Sequence, residues 1–214
     1  MSRKNLIEDI YHNLRARILT EKIYPGQKIS EITLAGEYEC SRTPVREALK
    51  RLEDDGLVII KPKSGTYVKN ETAKDFIEVM QVRGSLESLA FYLALEKVAA
   101  RDINQLEKII GNLDRLIAEE PINMMEFARL HYDFHYTLIK LSGNDLLLRH
   151  FERLNLRSSH MFYEMMDKNR AVNTQNEHKI IIRMLKNNDK SGIDFIRNHL
   201  DRKIKRFLDS GNSV

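Results

Sequence analysis

The nine residues Ser41-Arg42-Thr43-Pro44-Val45-Arg46-Glu47-Ala48-Leu49 decide how the first third of this 214-residue chain folds. Thr43 followed by Pro44 places a capping hydroxyl ahead of a proline at the first helical position, where the N–H that proline lacks would have no partner in any case. From there Val45, Ala48, Leu49 and Leu52 recur at helical spacing, and Gly56 ends the run. Ser41, Arg42, Thr43 and Arg46 fall on the opposite, polar side at its N-terminal end.

Outward from that helix, its neighbours are short and well punctuated. Upstream, Ser30 is an N-cap for a short helix carrying Ile32, Leu34 and Ala35, and Cys40-Ser41-Arg42 forms the tight break between the two. Earlier still, Leu6, Ile10, Leu14 and Ile18 mark one face of a first helix that stops before Tyr24-Pro25-Gly26. Downstream, Leu57-Val58-Ile59-Ile60 and Thr66-Tyr67-Val68 flank Pro62-Lys63-Ser64-Gly65, a hairpin signature. Three helices and a hairpin in residues 1–70 predict a winged helix-turn-helix domain whose third helix reads double-stranded DNA. Recognition helices touch base edges with their N-terminal residues, and arginine matches the paired acceptors of guanine. Arg42 and Arg46 are therefore the expected base readers, with Ser41 and Thr43 beside them. Lys50 and Arg51, further along, are expected on phosphates, and Lys63 at the hairpin tip in a flanking minor groove.

Composition agrees with a mainly α fold, because 42% hydrophobic residues with 9 Gly, 4 Pro and no Trp lack the turn-rich signature of a sandwich or barrel. The net charge of +4 is unevenly spread: residues 1–70 hold 13 Lys and Arg against 10 Asp and Glu. One cysteine, Cys40, excludes a disulfide framework and any multi-cysteine zinc module, and at its turn it is expected as a small buried hydrophobe. No secretion signal follows Met1-Ser2-Arg3-Lys4-Asn5, and the longest apolar run, Leu89–Leu95, is too short to cross a bilayer core ~30 Å thick. The expectation is a cytoplasmic protein with no membrane partner.

Residues 74–214 repeat a helical period with polar breaks near 100–102, 119–121, 142–144, 168–173 and 187–189, predicting about six helices in an all-α antiparallel bundle. Gly143 is the expected C-cap of one of them. Met124, Met125, Met161, Met165 and Met166 are read as core filling, and His12, His150 and His160 as solvated or packing residues. His131 and His135, four apart, point to one side of a helix and can share a metal; His178 and His199 lie in later helices that can face them across the core.

Three segments, Pro25-Gly26-Gln27-Lys28-Ile29-Ser30-Glu31, Ser41 to Leu49 and Leu52-Glu53-Asp54-Asp55-Gly56-Leu57, resemble the GntR family of bacterial transcription regulators. The run from Ser41 to Leu49 matches that family's most specific stretch at every position. The resemblance implies that Arg42, Thr43 and Arg46 touch operator DNA. Many members carry arginine where this chain has Ile32, so a contact sometimes made there is absent. The remainder resembles the FadR-type branch with a helical FCD effector domain, through Val82-Arg83 with Leu86-Glu87, Phe134-His135 followed by Leu141-Ser142-Gly143-Asn144, Glu177-His178, and His199-Leu200.

Many members of that branch bind a divalent metal through one aspartate and three histidines. The resemblance places His135, His178 and His199 at the histidine positions and His131 where the aspartate stands. Imidazole in place of a hard anionic oxygen moves the preference toward transition metals, zinc or nickel first. It also leaves the ion's charge uncompensated by the protein, so a small anionic metabolite, a carboxylate, is the expected effector. Arg83 either grips that carboxylate bidentately or pairs with Glu87, four residues on. The protein implied is a homodimeric repressor of a palindromic operator, relieved by its effector. A metal-dependent hydrolase built on the histidine bundle is the competing reading.

Overall fold

The computed structural model describes residues 3–20, 22–155 and 167–209, and the chain divides into two compact units, Met1–Thr72 and Ala73–Val214. Met161, Met165, Met166 and His160 lie outside the described residues.

The first unit contains α1 (Arg3–Leu19), β1 (Lys28–Ile29), α2 (Glu31–Glu37), α3 (Arg42–Asp54), β2 (Val58–Lys61) and β3 (Gly65–Val68). It is a winged helix: α3 packs on α1 and α2 while the strands form an antiparallel sheet in the order β1-β3-β2. Burial follows the helical period, with Ile10 and Leu14 from α1, Leu34 from α2 and Val45, Ala48, Leu49 and Leu52 from α3 in the core. Ser30 caps α2, its hydroxyl accepting the Thr33 N–H at 3.2 Å. The helix α3 begins two residues earlier than expected, with Ser41 at its N-cap and no side-chain capping bond. Pro44 thus sits third in the helix, still within the first turn, where none of the N–H groups has an intrahelical acceptor. Cys40 is half-buried rather than buried.

The sheet has a strand the hairpin reading lacked. Only two residues long, β1 pairs Lys28 with Tyr67 and Ile29 with Thr66. On its other edge β3 pairs with β2 in the register Val58↔Val68 to Lys61↔Gly65. Two residues carry too little local signal to be read as a strand, and pairing alone makes them one. At the wing tip Lys63 adopts φ 60° and Gly65 φ 130°.

The second unit contains α4 (Ala73–Leu95), α5 (Ala100–Ala118), α6 (Met124–Leu141), α7 (Asp145–Asn155), α8 (Lys168–Lys186) and α9 (Gly192–Asp209) among the described residues. The helix α4 runs against α9 and α6, α5 against α6 and α8, and α7 against α6. Phe91, Leu106, Leu113, Phe134, Leu138, Ile181 and Ile196 lie in one core cluster, and Phe76, Met80, Leu200 and Phe207 in another. A Cβ on Gly192 would stand 2.3 Å from the Phe91 ring, so α9 can start this close to α4 only without a side chain there. Gly143, with φ 64°, follows the end of α6.

Three expectations change in this unit. Residues 168–173, polar enough to read as a break, form the first turns of α8, because Asp167 accepts the Arg170 N–H at 2.8 Å and caps the helix. Residues 100–102 open α5 rather than interrupt it, and Asp102 caps by accepting the Ala99 N–H at 2.9 Å. Met124 packs against the core, but Met125 is 76% exposed and fills nothing.

Candidate functional site

Two groupings of side chains stand out, one in each unit. In the first, Ser41, Arg42, Thr43 and Arg46 all lie exposed at the start of α3, while Pro44 and Val45 point inward. The two arginines share one partner that the sequence reading missed: Glu31, the first residue of α2. Its Oε2 accepts from Arg42 Nη2 at 2.6 Å and Nε at 3.2 Å, and from Arg46 Nε at 2.8 Å. Partial burial alone would raise the Glu31 pKa, but the hydrogen bonds and charges of the two arginines outweigh it and hold the carboxyl below its ordinary value.

Arg51 is committed within its own unit, donating to both Glu8 oxygens at 2.7 and 3.1 Å with its guanidinium over the Tyr11 ring. Lys63 is exposed at the wing tip, and Lys61 and Lys28 flank the Tyr67 ring at 5.2 and 5.7 Å from its centroid. Lys28 and Lys61 were not singled out from sequence; the cross-strand pairing of β1 with β3 brings Lys28 to the wing.

If Glu31 restrains Arg42 and Arg46, the expected base readers, Glu31→Gln should tighten binding to random-sequence duplex DNA by about two- to fivefold, the scale of a partly exposed ion pair. Fluorescence anisotropy at fixed salt checks this, and an unchanged affinity means that the pair is incidental.

In the second unit, α4, α6, α8 and α9 each contribute to a fully enclosed polar cluster. His131 and His135 come from α6, His178 from α8 and His199 from α9; all four are buried, with at most 2% exposed. One ligand atom each from His131, His135 and His178 lies within 4.8 Å of the others. The His199 ring centroid is 5.9 Å from that of His135 and 5.4 Å from that of His178. Among the described residues, both ring nitrogens of His178 and Nε2 of His199 are buried with no hydrogen-bond partner, although Phe134 stacks on the His178 ring at 4.2 Å.

The protonation pattern follows from the carboxylates around the rings. His135 Nδ1 lies 2.8 Å from Glu87 Oε2, and His199 Nδ1 is hydrogen-bonded to Glu177 Oε2. An ionised carboxylate only accepts, so each Nδ1 carries the proton and each Nε2 turns a lone pair toward the cluster. Burial alone would raise the Glu87 pKa, but His135 and Arg83 beside it hold the carboxyl well below its usual range. Burial pushes His135 down to about 4 and His199 down to about 3, despite the opposing pull of Glu87 and Glu177. His131 and His178 are also driven well below their ordinary value, first by burial and then by neighbouring cationic and imidazole groups. Neutral imidazoles with converging lone pairs form a donor set suited to a borderline transition metal.

One expectation about this cluster is corrected. Glu87 and Glu177 set negative charge directly behind two of the imidazoles, so an ion bound there would not be left uncompensated; carboxylates in this position also orient metal-binding histidines. Both residues were visible in sequence as neighbours in the resemblance markers, but nothing local said that they touch histidines.

Arg83 is 5% exposed and donates Nε and Nη2 to Glu87 Oε1 at 2.9 and 2.7 Å, with its guanidinium over the Phe151 ring. It thus buttresses the carboxylate that holds His135. Lys203, also missed, lies one turn after His199 on α9, with Nζ 3.2 Å from His131 Nε2. Burial lowers it to about 7. His12 and His150 are exposed, as expected of solvated residues.

Comparison with known proteins places both units. Residues 6–68 match the family described as bacterial regulatory proteins, gntR family, and residues 78–202 match the FCD domain. The uncharacterized HTH-type transcriptional regulator YdhC of Bacillus subtilis is 32% identical over 68% of this chain, a match spanning 64% of its own length. The HTH-type transcriptional repressor RspR of Escherichia coli is 32% identical over 75% of this chain and 69% of its own. The solved structure of E. coli McbR/YncC superposes with a TM-score of 0.77 at 22% identity, covering 97% of this chain and 99% of that one. These relatives are regulators, and none of this supports the hydrolase reading. No described helix is long and apolar enough to cross a membrane.

Proposed function

This chain belongs to the GntR family of bacterial transcription regulators, with an FCD domain behind its winged helix, and from that premise we propose that it is a cytoplasmic, metabolite-responsive repressor. As a homodimer it reads a palindromic operator through Ser41, Arg42, Thr43 and Arg46, with Lys63 in a flanking groove. One recognition helix touches too few base pairs to select a site in a genome, so two copies are needed. Arg51, already paired with Glu8, would have to exchange that partner for a phosphate.

The sensing half binds a divalent transition metal, zinc or nickel, through His131, His135, His178 and His199. The observation that carries this reading is the set of buried imidazole nitrogens without partners among the described residues: a buried polar atom left unpaired costs about 1 to 3 kcal/mol, which a bound ion would relieve. When bound, the ion offers a Lewis-acidic position to a small carboxylate. The protein's own groups do the rest: Glu87 and Glu177 orient the imidazoles, and Arg83, whose Nη1 lies outside its pair with Glu87, is the second anchor for the anion. Effector and operator are then coupled, each changing the affinity of the other by the same factor.

Enrichment of bound duplexes from a random pool tests this, followed by titration of the enriched duplex with zinc- or nickel-loaded protein and a panel of small carboxylates. The expected result is an inverted repeat with half-sites about 10 base pairs apart, released by one class of carboxylate. Failure to enrich any sequence would overturn operator reading, and affinity indifferent to every carboxylate would overturn effector control.

A further inference from the structure

The ammonium of Lys203 touches the imidazole cluster directly. An ammonium only donates, so in its 3.2 Å contact the His131 Nε2 lone pair is the acceptor. On the other side of that nitrogen stands His135 Nε2, 3.3 Å away, whose own lone pair faces inward because its Nδ1 proton is bound to Glu87. Two lone pairs at that separation repel unless a positive group serves them. Lys203 serves one of the two, His131, and a metal ion would serve both.

The same lone pair cannot hold an ammonium hydrogen and a metal together. We propose that Lys203 and the metal are alternative partners of His131, so that Lys203 is a built-in competitor that weakens metal binding and keeps the site exchangeable. The inference rests on the metal reading above. Its particular geometry comes from two features of this chain: an imidazole rather than a carboxylate at position 131, and a lysine at position 203, one helical turn beyond His199 and 5% exposed. A carboxylate at 131 would keep a second oxygen for the ammonium while binding the ion with the first. An imidazole turned so that Nε2 faces the cluster has a single lone pair to give.

Replacing Lys203 with methionine keeps the apolar stem and removes the donor. Zinc affinity, measured on the full chain by competition with a chromophoric chelator, should rise by about tenfold, the low end of what groups behind a metal's ligands contribute. In a His131→Leu background the same substitution should leave zinc affinity unchanged, because the contested lone pair is gone; a gain that persists there would mean general charge repulsion and would overturn exchange at His131. Equal affinities of wild type and Lys203→Met overturn the competitor role while leaving the metal site standing. If neither binds zinc, the metal reading fails and takes the inference with it. Should Lys203→Met not fold, the wild type decides alone: in nitrogen-15 histidine spectra of metal-free protein, His131 Nε2 should be an unprotonated acceptor that shifts on zinc addition, and a protonated Nε2 would refute the proposal.

Discussion

Replacing Arg42 and Arg46 together by alanine is expected to abolish selective operator binding while leaving the fold intact. Their side chains are 51% and 57% exposed and point away from the core face of α3, so the packing of Val45, Ala48, Leu49 and Leu52 is untouched. Each guanidinium that grips a base edge discriminates by ~1 to 3 kcal/mol. A dimer presents four of them, so even the low end gives about a thousandfold loss, since every ~1.4 kcal/mol is tenfold. The loss should appear as a collapse of the ratio between operator and random duplex, with residual salt-dependent binding carried by Lys63 and its neighbours at the wing. Anisotropy titrations against both duplexes, with circular dichroism to verify folding, decide the matter. A double variant that keeps both affinity and selectivity would show that α3 does not read the bases.

The second large effect is expected at the histidine cluster. Reconstituted with zinc or nickel, the wild type should hold one ion per chain by elemental analysis, and His135→Ala and His178→Ala should each lose it. Removing the ion with a chelator should also lower the unfolding temperature of the second unit. At a free metal concentration one hundred times Kd the ion stabilises by ~2.7 kcal/mol, or about 5 to 10 °C for a domain of this size. In His178→Ala the chelator should change nothing. His178 is the sharper probe, because neither of its ring nitrogens has a hydrogen-bond partner among the described residues. No metal in the reconstituted wild type, or equal content in the variants, would refute the site.

Much of this was legible in local sequence. The period of Val45, Ala48, Leu49 and Leu52 was enough to assign both the helix and its buried face, and Ser30 acts as the cap its position suggested. Spacing alone put His131 and His135 on one side of α6. Legibility failed where a residue's state depends on a partner far along the chain. The two residues of β1 become a strand only against β3, and 168–173 became helical once Asp167 capped them.

The partnerships of charge were the least visible. Arg42 and Arg46 could be placed on the wet face of a helix, yet their shared carboxylate comes from another helix 11 and 15 residues away. Glu87 reaches His135 across 48 positions and Lys203 reaches His131 across 72. By itself, then, the sequence determined most of the helices, their apolar faces and the family, because these are set by interactions within a few residues, where spacing translates directly into direction. Only the tertiary structure decided which polar groups meet: packing four helices around one core brings together side chains that spacing cannot relate, and their burial forces each proton, lone pair and charge to find a partner.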